Sequence, residues 1–308
     1  MSREIIVRSP ATIANFGPGF DIFALALEGP SDVLKIRPSR RGDIVIRISG
    51  SDPGLPTRPE DNTAGLAALH FFRRTGANGG ADIEIVKRMP TGAGLGSSAA
   101  SAIAAVFGLD KIYRTGLEPH DIIELAGLGE AASGGTPHAD NVAACALGGF
   151  VFVRSTRPLH VDKFPVPPIP VVVRVRKKDQ TTTRGLIPAE FSLARVKEQM
   201  ADCAAVIHAV LKGNIEDIGA SINRDHISEP VRSRSIPGYD DLKRKVLETG
   251  AFGCNVSGGG SSVFAICAEE RLAAVAEAMR DFGDPGGVEP EVFVTRASNE
   301  GVKEIHGL

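Results

Sequence analysis

One stretch constrains this chain more than any other: Met89-Pro90-Thr91-Gly92-Ala93-Gly94-Leu95-Gly96-Ser97-Ser98-Ala99-Ala100-Ser101. It is entered from Ala81 to Lys87, whose alternation of apolar and polar residues reads as a strand. It is left through Ser97 to Leu109, which is rich in alanine, has no Gly or Pro before Gly108 and reads as a helix. Glycines let a backbone adopt φ > 0 and approach a ligand closely, while a helix start offers unpaired N–H groups and the positive end of a dipole. The hydroxyls of Ser97 and Ser98 can cap the helix, bind phosphate or reach a metal ion. The stretch therefore reads as a phosphate site, the alternative being a glycine loop needed only for turning. It lacks the Lys of G-x-x-x-x-G-K-[ST], and Gly92-x-Gly94-x-Gly96 is not the dinucleotide spacing G-x-G-x-x-G. Gly96-Ser97-Ser98-Ala99-Ala100 only partly imitates the G-x-S-x-G nucleophile elbow, which needs a sharp strand-to-helix turn, so a hydrolase is disfavoured.

With 308 residues the chain exceeds the size at which single cores stop growing, and one large or two modest domains are expected. A net charge of −2 gives no basic footprint for nucleic acid. The absence of Trp and the presence of only two Tyr leave few platforms for stacking bases. No apolar run approaches membrane-spanning length. Met1 to Ser9 alternates like a strand and lacks the apolar core of a signal peptide, so the cytoplasm is the expected location. Cys145, Cys203, Cys254 and Cys267 are widely spaced and form no C-x-x-C, which suits reduced core residues rather than a metal site.

Glu4 to Arg8 and Val33 to Arg37 alternate as strands do. Between them lies Pro10-Ala11-Thr12-Ile13-Ala14-Asn15-Phe16-Gly17-Pro18-Gly19-Phe20-Asp21, where Pro and Gly break regular structure and Asn15 and Asp21 offer an amide and a carboxylate. This is a substrate-loop candidate; alternatively Asp21 closes an Asx-turn or caps a helix over Ile22 to Leu27. Ile44 to Ile48 is a further strand, Ser51 to Glu60 a loop, and Asn62 a natural N-cap for a helix to Arg74. A helix from Pro119 to Ala132 carries Glu130 near its end, where a carboxylate opposes the dipole and gains nothing locally. A magnesium ion needs at least one carboxylate, and a solvated surface Glu is the alternative. In the polar turn that follows, His138-x-Asp140 could bind a metal, but two ligands alone rarely suffice, and a substrate-contacting His138 or a capping Asp140 is favoured. A short apolar helix runs to Leu147, and Gly149 to Arg154 reads as a strand.

The proline cluster Phe164-Pro165-Val166-Pro167-Pro168-Ile169-Pro170 marks the expected boundary between domains 1–165 and 166–308. Beyond it come a buried-type strand, Val171 to Val175, the turn-rich Thr181-Thr182-Thr183-Arg184, and a helix from Ser192 to Lys212. The apolar residues Leu193, Val196, Met200, Cys203, Val206, Ile207 and Val210 of that helix are expected in the core. Ile215 to Ile222 suggests another helix. Arg184 and Arg232 sit in turns, and a guanidinium fork suits a carboxylate, although most arginines are solvated. A second glycine loop, Val256-Ser257-Gly258-Gly259-Gly260-Ser261-Ser262, joins strands Phe252 to Val256 and Val263 to Cys267, as a long hairpin turn or as a wall of the same site. An amphipathic helix, Glu269 to Phe282, and a strand, Glu291 to Thr295, complete a β-α-α-α-β-β-α-β order. That order predicts an α+β class with a ferredoxin-like second half.

With these loops in place, the chain resembles the GHMP small-molecule kinases throughout its length. Pro10 to Asp21 is similar to the family's first motif, Pro90 to Ala100 to its phosphate loop and Val256 to Ser262 to its third motif. Gly129-Glu130, His138-Ala139-Asp140-Asn141-Val142, Glu229-Pro230-Val231-Arg232 and Ile236-Pro237 resemble the branch that acts on L-homoserine. The resemblance implies two domains, the first like ribosomal S5 domain 2 and the second ferredoxin-like. It implies ATP-dependent phosphorylation of the L-homoserine hydroxyl, towards threonine. Asn62, Lys87, Pro90, Gly92, Ala93, Gly94, Leu95, Gly96, Ser97 and Ser98, with Gly258 and Gly259, would face ATP, and Ser98 and Glu130 would hold Mg²⁺. Asn15, Asp21, His138, Thr181, Arg184 and Arg232 would surround the substrate, with Asp21, Ser98 and Glu130 catalytic. Two departures stand out. Many relatives read Ser-Gly-Ser-Gly-Pro where this chain has Ser257-Gly258-Gly259-Gly260-Ser261, and the threonine ahead of Arg184 is more closely spaced. A homodimer is left open. The rival readings are a kinase of this fold acting on mevalonate or shikimate, which also bear carboxylates, and a nucleotide-binding sensor without turnover.

Overall fold

The computed structural model describes residues 4–133, 139–176, 184–259, 262–283, 287 and 289–307. Among these residues seven strands form a first sheet: β1 (Ile5–Ala14), β2 (Phe23–Ser39), β3 (Ile44–Gly50), β4 (Gly80–Lys87), β5 (Phe150–Thr156), β6 (Leu159–Phe164) and, from the end of the chain, β11 (Lys303–Ile305). The order is β11-β1-β2-β4-β3, with β5 on β2 and β6 on β5. β2 is long enough to serve two partners on one edge, Val33 to Ser39 lying against β4 and Phe23 to Leu25 against β5. β3 and β4 run parallel because helix α1 (Thr63–Thr75) lies between them as the crossover. Helices α2 (Ser97–Tyr113), α3 (Pro119–Gly129) and α4 (Ala139–Leu147) pack with α1, α2 and α4 lying on the sheet. α2 is the centre of this layer. It is buried at every residue from Ala99 to Val106, as a helix apolar all round must be.

The second half carries β7 (Pro170–Val175), β8 (Ala251–Ser257), β9 (Ser262–Cys267) and β10 (Glu291–Arg296), antiparallel in the order β10-β7-β9-β8. Helices α5 (Leu193–Lys212), α6 (Ile215–Ser221), α7 (Glu229–Arg232) and α8 (Tyr239–Glu248) lie between β7 and β8, and α9 (Leu272–Asp281) between β9 and β10. This is the ferredoxin-like arrangement that the order of elements predicts. A charged residue, Arg174, is buried near the end of β7. Its guanidinium donates to the carbonyls of Met279 (3.0 Å) and Phe282 (3.2 Å) at the end of α9, where helix geometry leaves acceptors unfilled.

Two expectations are corrected by the packing. Ile22 to Leu27 is not a helix, because Phe23 to Leu27 opens β2 and pairs with both β1 and β5. Leu193, Val196 and Met200 are not core: Leu193 is 83% and Met200 67% exposed. Helical spacing says which residues share a face, not which face is covered, and α5 packs through the adjacent stripe of Gln199, Val206, Ala209 and Val210. The chain also returns on itself after β10, so that β11 pairs with β1 and belongs to the first sheet.

The two sheets meet through aromatic contact. Phe16, fully buried, stacks on Phe264 of β9 at 5.8 Å between ring centroids and meets Phe150 of β5 edge-on at 5.5 Å. Replacing Phe264 with Ala is expected to cost about 3–5 kcal/mol in urea unfolding, and Leu distinctly less; a loss under about 1 kcal/mol would show that the halves do not lean on this contact. The cysteines are free thiols, and burial pushes Cys203 and Cys267 up to about 11 and Cys254 up to about 12. Alkylation by iodoacetamide at neutral pH should therefore be slow in the native protein and become fast only on unfolding.

Candidate active site

The loop between β4 and α2 is shaped by the bonds its carbonyls make. The carbonyl of Ala93 accepts from the Ser262 hydroxyl (2.5 Å), that of Gly94 from the Ser257 hydroxyl (2.7 Å), and that of Leu95 from the amide of Thr12 (3.0 Å). In a trans peptide the N–H points away from the preceding C=O. The amides of Gly94, Leu95 and Gly96, at the start of α2, therefore each point away from the element that holds the preceding carbonyl. Such a row of N–H groups at a helix start attracts an anion. Two glycines are indispensable. A Cβ on Gly94 (φ +76°) would lie 2.4 Å from the Ser257 carbonyl, and one on Gly96 (φ +69°) 2.1 Å from the Thr12 hydroxyl. The second glycine loop is thus both the hairpin between β8 and β9 and a wall of the site. Its Gly258 amide also reaches the Ala14 carbonyl (3.3 Å), tying it to the first motif.

Ser98, in the first turn of α2, donates its hydroxyl hydrogen to Glu130 Oε1 at 2.6 Å. Glu130 is buried where α3 gives way to a short 3₁₀ turn. Among the described residues no three His, Cys, Asp or Glu side chains gather into a metal cage. A hydroxyl and a buried carboxylate beside an anion loop are nevertheless hard oxygen donors of the kind Mg²⁺ takes when phosphate oxygens complete its shell, so this donor set fits that ion.

Asn62 acts as the N-cap of α1: its Oδ1 accepts from the amides of Ala64 (3.0 Å) and Gly65 (3.2 Å), and its Nδ2 donates to the Pro56 carbonyl (2.8 Å). Lys87 lies directly under the loop, but its ammonium points inward. It meets Asp32 Oδ2 (2.6 Å), the Ser97 hydroxyl (2.6 Å) and the Ser101 hydroxyl (2.8 Å), and is fully buried with them. Asp32 had no sequence signal: Gly29-Pro30-Ser31-Asp32 looks like any turn.

Next to the second glycine loop, the first motif departs from regular structure at Asn15 (φ +67°), Phe16 (φ +43°) and Asp21 (φ +59°). Asn15 Oδ1 accepts from the Asp21 amide (3.1 Å), while its buried Nδ2 has no hydrogen-bond partner among the described residues. A buried donor left in that state is what an acceptor on a ligand would satisfy. Arg232, also buried, donates from Nη1 to the Gly258 carbonyl (2.6 Å) and lies over the Phe20 ring at 5.1 Å. The segment that carries it is braced by groups the sequence did not single out. Asp225 accepts from the amides of Ser228 (3.0 Å) and Glu229 (2.8 Å) at the start of α7. Gln199 joins Asp225 (3.0 Å) to the Pro18 carbonyl (2.5 Å) of the first motif. Burial pushes the Glu229 carboxyl up and the Lys243 ammonium at 2.5 Å pulls it back. The available signal for Gln199 was a polar residue at a core position of α5. His138 and Thr181 lie outside the described residues, as does the side chain of Arg184, whose backbone opens a 3₁₀ turn, Arg184–Leu186.

With this geometry in hand, comparison with known proteins is specific. The family described as GHMP kinases N terminal domain matches residues 62–149, and GHMP kinases C terminal matches residues 206–285. The chain is 40% identical over 284 residues to the homoserine kinase of Methanopyrus kandleri, covering 91% of this chain and 92% of that one. It is 34% identical over 305 residues to the homoserine kinase of Methanocella arvoryzae, covering 98% of both. The crystal structure of homoserine kinase from Cytophaga hutchinsonii superposes with a TM-score of 0.92 at 36% identity, over 99% of this chain and 98% of that one.

Gly96→Ala tests the loop directly. Its Cβ must displace Thr12 or the loop, and losing one charge-assisted N–H hydrogen bond to the anion costs about 1.5–3 kcal/mol, roughly 10- to 100-fold in affinity. Tripolyphosphate binding by calorimetry is expected to weaken by that factor while the far-UV spectrum is kept; unchanged affinity would place the anion elsewhere.

Proposed function

The chain belongs to the GHMP kinases, and on that premise we propose that it transfers the γ-phosphoryl group of ATP to the hydroxyl of L-homoserine, giving O-phospho-L-homoserine on the way to threonine. The observation that carries the reading is the meeting of three motifs in one cleft. The Gly258 amide holds the Ala14 carbonyl, the Gly258 carbonyl holds Arg232, and Ser257 holds the phosphate loop. The homoserine kinases that match nearly end to end support the choice of alcohol.

In this reading phosphoryl transfer leaves little covalent work to the protein, so positioning and charge stabilisation dominate. The amides of Gly94 to Gly96 and the dipole of α2 take the phosphate charge. Ser98 and Glu130 would hold Mg²⁺, which when bound neutralises charge between the phosphates. On the substrate side, Asn15 donates from Nδ2. Asp21 takes the ammonium or orients the hydroxyl. Arg232, held in place by Gly258 and Phe20, meets the carboxylate. His138, Thr181 and Arg184 complete that side. A loose transition state needs the acceptor oxygen in line more than it needs a strong base.

Steady-state kinetics separate the roles. Arg232→Leu is expected to act through KM for homoserine, lowering kcat/KM by roughly 30- to 1000-fold, about 2–4 kcal/mol. Glu130→Ala is expected to lower kcat and to raise the magnesium concentration needed for half-maximal rate. Wild-type rates in either variant would remove that residue from the site, and a substrate panel in which mevalonate or shikimate outruns homoserine would reassign the alcohol.

A further inference from the structure

We infer that Asp32 is a positioning residue for phosphoryl transfer, acting through the loop above it; the inference rests on the reading of Gly92 to Ser98 as the ATP phosphate site. Asp32 is fully buried on β2 and touches both ends of the loop. Its Oδ1 accepts from the amides of Arg88 (2.8 Å) and Met89 (3.1 Å), where the chain leaves β4. Its Oδ2 accepts from the Ser97 hydroxyl (2.8 Å), where the chain enters α2. One carboxylate therefore fixes the separation of the loop's two ends, and with it the direction of the amides between them.

A buried carboxylate beneath an anion site is costly unless its charge is compensated. Lys87 supplies the compensation at 2.6 Å from Oδ2, and its remaining hydrogens go to Ser97 and Ser101. The Ser97 hydroxyl gives its one hydrogen to Asp32 and accepts from Lys87, so it is held inward. Of the two adjacent serines, Ser98 is the one that meets Glu130. The clamp is an ion pair with no net charge. It neither attracts nor repels the phosphates. What it contributes is rigidity, which is what preorganised dipoles need in order to stabilise a transition state without reorganising.

The pair gives variants with distinct signatures. Asp32→Asn keeps the shape and loosens the clamp while leaving the Lys87 charge in place. It is expected to lower kcat by about tenfold or more, to leave KM for homoserine within about twofold, and not to weaken ADP binding. Lys87→Met leaves the Asp32 charge under the phosphates and is expected to weaken ADP binding about tenfold or more. Combining the two should recover ADP affinity but not kcat. Ser97→Ala, which removes one hydrogen bond of the clamp, should lose roughly three- to tenfold in kcat with little change in melting temperature. If Asp32→Asn or Ser97→Ala melts earlier yet turns over at the wild-type rate, Asp32 is only structural and the inference fails. If the double variant does not regain the ADP affinity lost in Lys87→Met, Lys87 acts on the phosphates itself, and if it regains wild-type kcat, the clamp is not needed for transfer; either outcome overturns the inference. Calorimetry with ADP on the wild-type protein keeps the two levels apart, since no binding there would overturn the reading of the loop rather than the role of Asp32.

Discussion

The structure depends on where three carbonyls point. A loop that is to bind an anion through its amides must bury its own carbonyl oxygens against donors, and nothing within Gly92 to Gly96 can supply them. They come from β1, through Thr12, and from the two ends of the β8–β9 hairpin, through Ser257 and Ser262. The last two are separated from their acceptors by 163 and 169 residues. The loop from Gly92 to Gly96 is therefore a product of both halves of the chain. Features that look unrelated to chemistry follow from this requirement. The stacking of Phe16 on Phe264 of β9 keeps the hairpin within hydrogen-bonding distance of the loop. The glycines are small because the second half comes so close, not only because the loop must turn.

The same requirement bears on how the hairpin of the third motif is held. A proline there would stiffen the hairpin by restricting φ. In this chain the hairpin is held instead by what it touches, with Ser257 on Gly94, Ser262 on Ala93 and Gly258 on both Ala14 and Arg232. Hydrogen bonds to the neighbouring loop hold it locally, and they couple Arg232 to the glycine loop ahead of α2.

Much of this could be read from residues alone, and the reason is locality. Glycine spacing, the alanine run of α2 and the alternation of β4 are short-range signals, so the loop, its flanking elements and the ferredoxin-like order of the second half were legible. The Ser98–Glu130 pairing was expected only through family resemblance, and the two side chains do meet. What stayed hidden depends on distant partners. Asp32 finds Lys87 and Ser97 across 55 and 65 residues, and its own neighbourhood looks like an ordinary turn. Phe23 to Leu27 is an apolar run that periodicity cannot divide between helix and strand; β5 settles it, and nothing nearby announces that register. Gln199 was masked by the apolar stripe around it, although a polar residue at that position is itself a cue. Asn62 shows the converse, a residue whose local capping role uses its side-chain oxygen and amide alike.

The inward lysine changes how the missing Walker lysine should be understood. In that motif an ammonium reaches the phosphates and supplies positive charge directly. Here the lysine beside the loop is neutralised by Asp32, so in the proposed reading the triphosphate meets oriented dipoles without a fixed cation beneath them. Dipoles aimed in advance stabilise developing charge without reorganising, but they do not cancel the net charge of the nucleotide. In the proposed reading, that leaves Ser98 and Glu130 as the point where positive charge has to enter. Their contact at 2.6 Å, between the first turn of α2 and the residue just past the end of α3, sets that point next to the amides. Rigidity beneath the loop and charge brought in beside it are then separate tasks on separate side chains. A substitution can impair one and spare the other, whereas a single lysine doing both would fail at both together.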